Sequence, residues 1–123
     1  MKEILNDLIT NLKAIDGFVA VSITDVASGE AYDSFTADKK FDPNLASAYN
    51  LEVVKAKLKA IEALGLKEEI QDITITLSSQ IHIINIAPSG NYFIYLAVDS
   101  KKANMGITKA MLNKHKAKLN EAL

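Results

Sequence analysis

Tyr92-Phe93-Ile94-Tyr95-Leu96-Ala97-Val98-Asp99, followed by Ser100-Lys101-Lys102 and then Ala103-Asn104-Met105-Gly106, is the stretch around which the chain is ordered. Aromatic and aliphatic residues fill Tyr92–Val98 at strand length, so a β-strand is expected there. A short polar loop leads into a helix expected over Ala103–Leu123. In that helix Ile107, Met111, Leu112, His115 and Leu119 fall on or near one face. Lys114, Lys116 and Lys118 lie toward its C-terminal end, where the helix dipole favours positive charge. Asn104 suits the start of this helix as a cap, with contact to a partner as the alternative role; Asp99 and Ser100 compete for the capping position.

Two further strands are expected just upstream, over Ile70–Leu77 and Gln80–Ile86, with turns at Ser78-Ser79 and Ala87–Asn91. Before them, Asp42-Pro43 has the chemistry of a helix start. Asp42 can cap, and the missing N–H of Pro43 would lack an intrahelical partner in the first turn anyway. This middle helix should run to about Leu64 and stop at Gly65. At the N-terminus, Ile4, Leu5, Leu8, Ile9, Leu12 and Ile15 mark an amphipathic helix over residues 2–15, ended by Asp16-Gly17. Phe18–Asp25 and Ala31–Phe35 then form a hairpin around Ala27-Ser28-Gly29-Glu30. The order α-β-β-α-β-β-β-α, without repeat or interior linker, implies one α/β domain over residues 1–123. It should have a single, mostly antiparallel sheet with helices on both faces.

Composition narrows the function. The 123 residues are 49% hydrophobic and 24% charged, with a net charge of −1, which is not the basic excess of a nucleic-acid binder. There is no cysteine, so disulfides and thiolate metal sites are unavailable. No uninterrupted apolar stretch suits a signal peptide or a bilayer span, and a soluble, cytoplasmic protein is expected. All fourteen positive residues are lysines. Without arginine the chain cannot donate an arginine finger to phosphoryl transfer. His82 and His115 have no second histidine or suitably spaced carboxylate and read as packed or partly exposed residues. Neither a Walker loop nor a nucleophile elbow is present, Glu68-Glu69 and Asp72 read as a solvated acidic cluster, and no catalytic residue, cofactor or metal is expected.

The middle helix carries too much apolar surface for one contact. Ala46, Tyr49, Val53, Ala56, Ala60 and Leu64 occupy one side, and Leu51, Val54, Leu58 and Ile61 an adjoining side. Glu52, Lys55, Lys59 and Glu62 fill the remainder, which makes Lys55, Lys59 and Glu62 a candidate partner surface. The small-residue side suits close packing on a sheet, so the branched side is expected to meet a second copy of the chain. Ile73-Thr74-Ile75-Thr76 alternates β-branched residues without the charge or proline that blunts an edge strand. If that strand lies at the edge, Ile73, Thr74, Ile75 and Thr76 join Leu51, Val54, Leu58 and Ile61 in the expected dimer interface.

The stretch from Asp16-Gly17-Phe18 to Ile23-Thr24-Asp25 resembles a strand signature of the roadblock family, although the glycine expected mid-strand is Ala20 or Val21 here. Tyr92–Asp99 followed by Ala103-Asn104-Met105-Gly106 resembles that family's closing strand, loop and helix start. The element order agrees along nearly the whole chain. The resemblance implies a roadblock/profilin-like fold: a five-stranded antiparallel sheet in the order 2-1-5-4-3, with the first and last helices on one face and the middle helix on the other. It also implies homo- or heterodimers in which third strands join edge to edge and middle helices pair. Relatives act as scaffolds, motor-complex light chains, and partners or regulators of small Ras-like GTPases, whose own active sites they shape. The expected function is therefore a non-catalytic, homodimeric protein-binding module for such a GTPase. Alternatives are a structural light-chain-like subunit of a larger complex and, from a different class, a small-ligand sensor or enzyme on a profilin-like sheet.

Overall fold

The structure, a computed structural model, describes residues 2–122. The first helix, α1 (Lys2–Lys13), buries Leu5, Leu8, Ile9 and Leu12, the stripe expected from their spacing. It leads to Gly17, whose φ of +83° is the left-handed conformation that glycine adopts without strain. A Cβ at this position would stand 3.0 Å from the Asp99 carbonyl oxygen. The close approach lets the Gly17 carbonyl accept the Asp99 N–H at 2.7 Å, which locks the start of the first strand to the end of the last.

Strands β1 (Phe18–Asp25) and β2 (Ala31–Thr36) form the first hairpin, and α2 (Pro43–Ala63) follows. Strands β3 (Asp72–Thr76), β4 (Gln80–Ile86) and β5 (Tyr92–Asp99) complete the sheet before α3 (Met105–Ala122). All strand pairs are antiparallel and the order is β2-β1-β5-β4-β3. Strand β5, buried from Tyr92 to Val98, lies at the centre, which explains the unbroken apolar run of those residues.

Element ends differ from expectation for local reasons. Helix α3 begins at Met105 rather than Ala103, because Asn104 sits outside it as the cap and its Oδ1 accepts the Ile107 N–H at 3.1 Å. Asp99 serves the preceding loop instead, accepting the Lys101 N–H at 2.9 Å. Residue 123, the expected end of α3, lies outside the described residues. Helix α2 starts as expected: Asp42 Oδ1 accepts the N–H groups of Asn44 and Leu45 at 3.0 and 3.1 Å, with Pro43 in the first turn. Strand β3 is shorter than Ile70–Leu77. Its flanking residues still pair once each: the Gln71 carbonyl accepts from Ile86 and the Leu77 N–H donates to Gln80.

The two faces of the sheet are filled differently. On one, α1 and α3 pack over Val21, Ile23, Ile83, Ile94, Leu96 and Val98, joined by Leu8, Leu12, Leu112 and Leu119. On the other, α2 lies over Ala20, Ser22, Thr24 and Ala97, all buried, with Phe93, Tyr95, Ile84 and Ile86 beside them. The surface under α2 is thus lined partly by small and polar side chains. Large side chains from the helix are needed to fill it, and this reverses the expected orientation. Leu51 and Val54 are buried on the protomer's own sheet, and Leu58 packs on the same cluster. Ser47 lies beneath the helix with them, its hydroxyl hydrogen-bonded to Thr24. The side carrying Tyr49, Ala56 and Leu64 faces solvent. Small residues there could not have filled the space above Ala20 and Ala97 without voids.

Candidate functional site

Strand β3 is an edge strand, so its outer side has no strand partner among the described residues. The pairing with β4 fixes which backbone groups are free. The Leu77 N–H donates to Gln80 and the Gln71 carbonyl accepts from Ile86, so the odd-numbered residues bond to β4. Alternation turns the N–H and C=O groups of Asp72, Thr74 and Thr76 toward the open edge. The Thr74 and Thr76 side chains are exposed, on the α3 side of the sheet, where Thr74 Oγ1 donates to Asp72 and Asp72 pairs with Lys109 at 3.6 Å.

Ile73 and Ile75 point to the other side, toward α2, and are only half-buried. Leu58 and Ile70 pack against the same cluster, and Ile61 lies half-buried one turn beyond Leu58. Of the eight residues expected at a dimer interface, the fold therefore brings Leu58, Ile61, Ile73 and Ile75 to one incompletely covered apolar flank. Thr74 and Thr76 lie at the adjoining edge. Leu51 and Val54 are set apart from this surface, because they are committed to the interior. Lys55, Lys59 and Glu62 are exposed along α2, as expected of a charged flank.

Most of the α2 side expected against the sheet is instead turned away from it: Tyr49, Ala56 and Leu64 are exposed and Val53 and Ala60 half-buried, while Ala46 packs on the cluster beneath the helix. Leu45 is 57% exposed, Tyr49 73% and Leu64 69%. A signal for this was present in β1: Ala20, Ser22 and Thr24 alternate as small residues, and a strand face so lined calls for bulk from its covering helix.

Titratable groups on the α2 face are packed rather than poised for chemistry. His82 Nε2 lies 2.8 Å from Gln80 Oε1, and its ring meets Phe41 and Tyr95 edge-on at 5.9 and 5.4 Å. Burial pulls the His82 pKa down and pushes that of Tyr95 well up. Under α3, His115 is buried and its pKa is lowered chiefly by desolvation. The Tyr92 hydroxyl donates to the Lys116 carbonyl at 3.0 Å, and burial raises its pKa to about 12. Asp25 is held low by hydrogen bonds from the Ser28 hydroxyl and N–H and from Tyr32, which fasten the β1–β2 turn. Among the described residues no cluster of three His, Asp or Glu side chains is placed to hold a metal, and no helix is long and apolar enough to cross a membrane. A cleft of about 300 Å³ between the β3 and α3 regions is lined by Glu69, Gln71, Asn113 and Lys116, with Lys116 Nζ 3.4 Å from the Ile86 carbonyl.

No family model matches the chain, and no curated protein matches it. Solved structures do. Myxococcus xanthus MglB aligns with a TM-score of 0.79 at 13% identity, covering 98% of this chain and 84% of that one. An MglB with a tetrameric arrangement aligns with a TM-score of 0.80 at 15% identity, over 99% and 91% of the two chains. The Roadblock/LC7 domain from Streptomyces avermitilis gives 0.79 at 9% identity, over 99% and 96%. At such identities the agreement speaks for the backbone alone. Three helices about an antiparallel sheet in the order β2-β1-β5-β4-β3, superposing along nearly their full length on these structures, give this chain the roadblock fold.

Proposed function

We propose that the protein is a non-catalytic homodimeric binding module that regulates or scaffolds a small Ras-like GTPase in the cytoplasm. One observation carries the self-association: the open edge of β3 and the uncovered apolar flank formed by Leu58, Ile61, Ile73 and Ile75 lie side by side. Joining two β3 strands antiparallel satisfies the outward groups of Thr74 and Thr76 and extends the sheet across both copies. The same step brings the two half-buried flanks together and removes apolar surface from water. A structure of the same fold solved with a tetrameric arrangement supports an assembling protein.

The GTPase reading rests on the roadblock resemblance of the sequence and on the likeness to MglB in backbone. The exposed charges of α2, Lys55, Lys59 and Glu62, are the candidate contact. Without arginine, any effect on hydrolysis would come from positioning the GTPase's own groups rather than from a donated guanidinium.

Thr74→Pro tests the dimer. It removes an N–H that faces the open edge and leaves the β4 ladder intact, so the protomer should fold while the β3 contact is lost. Ile61→Asp should have the same effect by placing a charge in the joined flank. Light scattering that shows both folded variants retaining the wild-type mass would eliminate this interface. For the partner, the test is a pull-down from the cell's own extract with and without a non-hydrolysable GTP analogue. Enrichment of a Ras-like GTPase in one nucleotide state supports regulation. Recovery only of a nucleotide-independent complex would transfer the reading to a structural subunit.

A further inference from the structure

We propose that the cleft between α3 and the Gln71–Ile86 end of the sheet is a covalent ligand site, in which the side-chain amine of Lys116 forms an imine with a small uncharged aldehyde. The cleft, of about 300 Å³, has apolar walls at Ile70, Ile86 and Pro88, and Lys116 lines it beside Asn113 and Glu69. The site draws on neither the open edge of β3 nor the charged flank of α2.

Two bonds hold Lys116 in place. Its backbone carbonyl accepts the Tyr92 hydroxyl at 3.0 Å, and its Nζ donates to the Ile86 carbonyl at 3.4 Å, where the β3–β4 pairing ends. A single carbonyl at that distance is a weak partner for an ammonium. No carboxylate stands within 4.0 Å of this nitrogen among the described residues. The other lysines differ. Lys109, on the same flank of α3, pairs with Asp72 at 3.6 Å, and the rest are exposed. A half-buried amine without a close carboxylate gives up its proton more readily than a solvated one. Burial accordingly pulls the Lys116 pKa below the usual lysine value, against the opposing fields of Asp72 and Glu69. A desolvated lysine of this kind is a nucleophile suited to carbonyl groups.

The surroundings select the electrophile. Asn113 Oδ1 already accepts from Asn85 Nδ2 at 3.1 Å, so the Asn113 amide N–H groups remain to donate to a carbonyl oxygen. Ile70, Ile86 and Pro88 can cover a short alkyl chain. Glu69 in the wall disfavours a carboxylate or phosphate on the ligand. The step is a condensation. The ammonium releases a proton to solvent, and the amine lone pair attacks the carbonyl carbon as the C=O π pair moves to oxygen. Proton transfer from nitrogen to oxygen gives a carbinolamine. The nitrogen lone pair then expels the hydroxyl, which takes a proton from solvent and leaves as water, and a protonated imine remains. Its positive charge replaces that of the ammonium in the field of Asp72 and Glu69.

Propanal with cyanoborohydride at neutral pH tests the site, because the reductant fixes each imine as a stable secondary amine. An α-amino group titrates at about 8 in any chain, so the comparison is made among the lysines. Peptide mass spectrometry should find Lys116 alkylated before any other lysine. The lead should disappear in urea, where every lysine is solvated. Alkylation of Lys116 no faster than that of Lys114 and Lys118, its exposed neighbours on α3, would overturn the proposal, as would a lead that survives unfolding. Lys116→Arg, which keeps a donor for the Ile86 carbonyl, should lose the first-labelled peptide while the other lysines react as before. Glyoxylate, an aldehyde of similar size that carries a carboxylate, should label Lys116 with a smaller lead over Lys114, and Glu69→Gln should restore part of that lead. Equal leads for both aldehydes in the wild type would refute selection for an uncharged ligand.

Discussion

The two faces of the sheet are built to different ends. Under α1 and α3, branched aliphatic residues of three strands, β1, β4 and β5, meet leucines from both helices, and Leu8, Leu12, Leu112 and Leu119 are fully enclosed. Under α2, the strands offer Ala20, Ser22, Thr24 and Ala97, the helix buries only Leu51 and Val54 among its large apolar residues, and the flank toward β3 is left half-covered. Buried apolar area stabilises roughly in proportion to its extent, so the first face supplies most of the stability. The second leaves apolar surface at Leu58, Ile61, Ile73 and Ile75 only half-covered. A 123-residue fold can leave one face incomplete because the other is finished.

Mutations can break this contrast, and the largest effect belongs to the finished face. Leu12→Ala should cost about 3–4 kcal/mol, because it opens a cavity where both helices and the sheet already touch. Leu51→Ala should cost less, about 2 kcal/mol, since its surroundings are smaller and it lies closer to solvent. Denaturant unfolding measures both; equal losses would dissolve the distinction between the faces.

Acidification sharpens it. His82 lies on the α2 face and His115 on the other, and burial lowers both pKa values below the ordinary 6.5. A histidine with a depressed folded pKa binds protons more readily when unfolded. Its contribution is therefore intact above pH 6.5 and is lost as the pH falls through the folded value. Unfolding midpoints should drop between pH 7.5 and 5. His115→Leu should flatten the profile more than His82→Gln, because His115 is the more enclosed by surface exposure. The opposite ranking would show that the α2 face excludes water better than its packing implies. The smallest expected effect on the fold is that of Thr74→Pro, which should change protomer stability by no more than about 0.5 kcal/mol while altering assembly mass. A large loss of protomer stability would mean that β3 supports the core more than an edge strand should.

Local chemistry made most elements legible. The stripe of Leu5, Leu8 and Leu12, the Asp42-Pro43 start of α2, the stops at Gly17 and Gly65, and the apolar run of β5 each have a cause within a few residues of sequence. The roadblock resemblance added the strand order, which adjacent-element reasoning alone does not provide. The weak point was α2. Two sides of the helix were both apolar, and its own residues do not say which meets the sheet. The answer lay in Ala20, Ser22, Thr24 and Ala97, distant in sequence, whose small size asks for Leu51 and Val54 above them.

The sequence by itself determined the number, type and order of the elements, the absence of arginine and cysteine chemistry, and the β-branched alternation of β3. Each of these follows from residue type and spacing along the chain. Only the tertiary structure decided that β3 stands at the edge with Thr74 and Thr76 turned outward, and that Leu51 and Val54 belong to the interior while Tyr49 and Leu64 face solvent. Edge position depends on which strands occupy the middle of the sheet, and the burial of a two-sided helix depends on the shape of the surface beneath it. Both are properties of contacts between residues far apart in the chain.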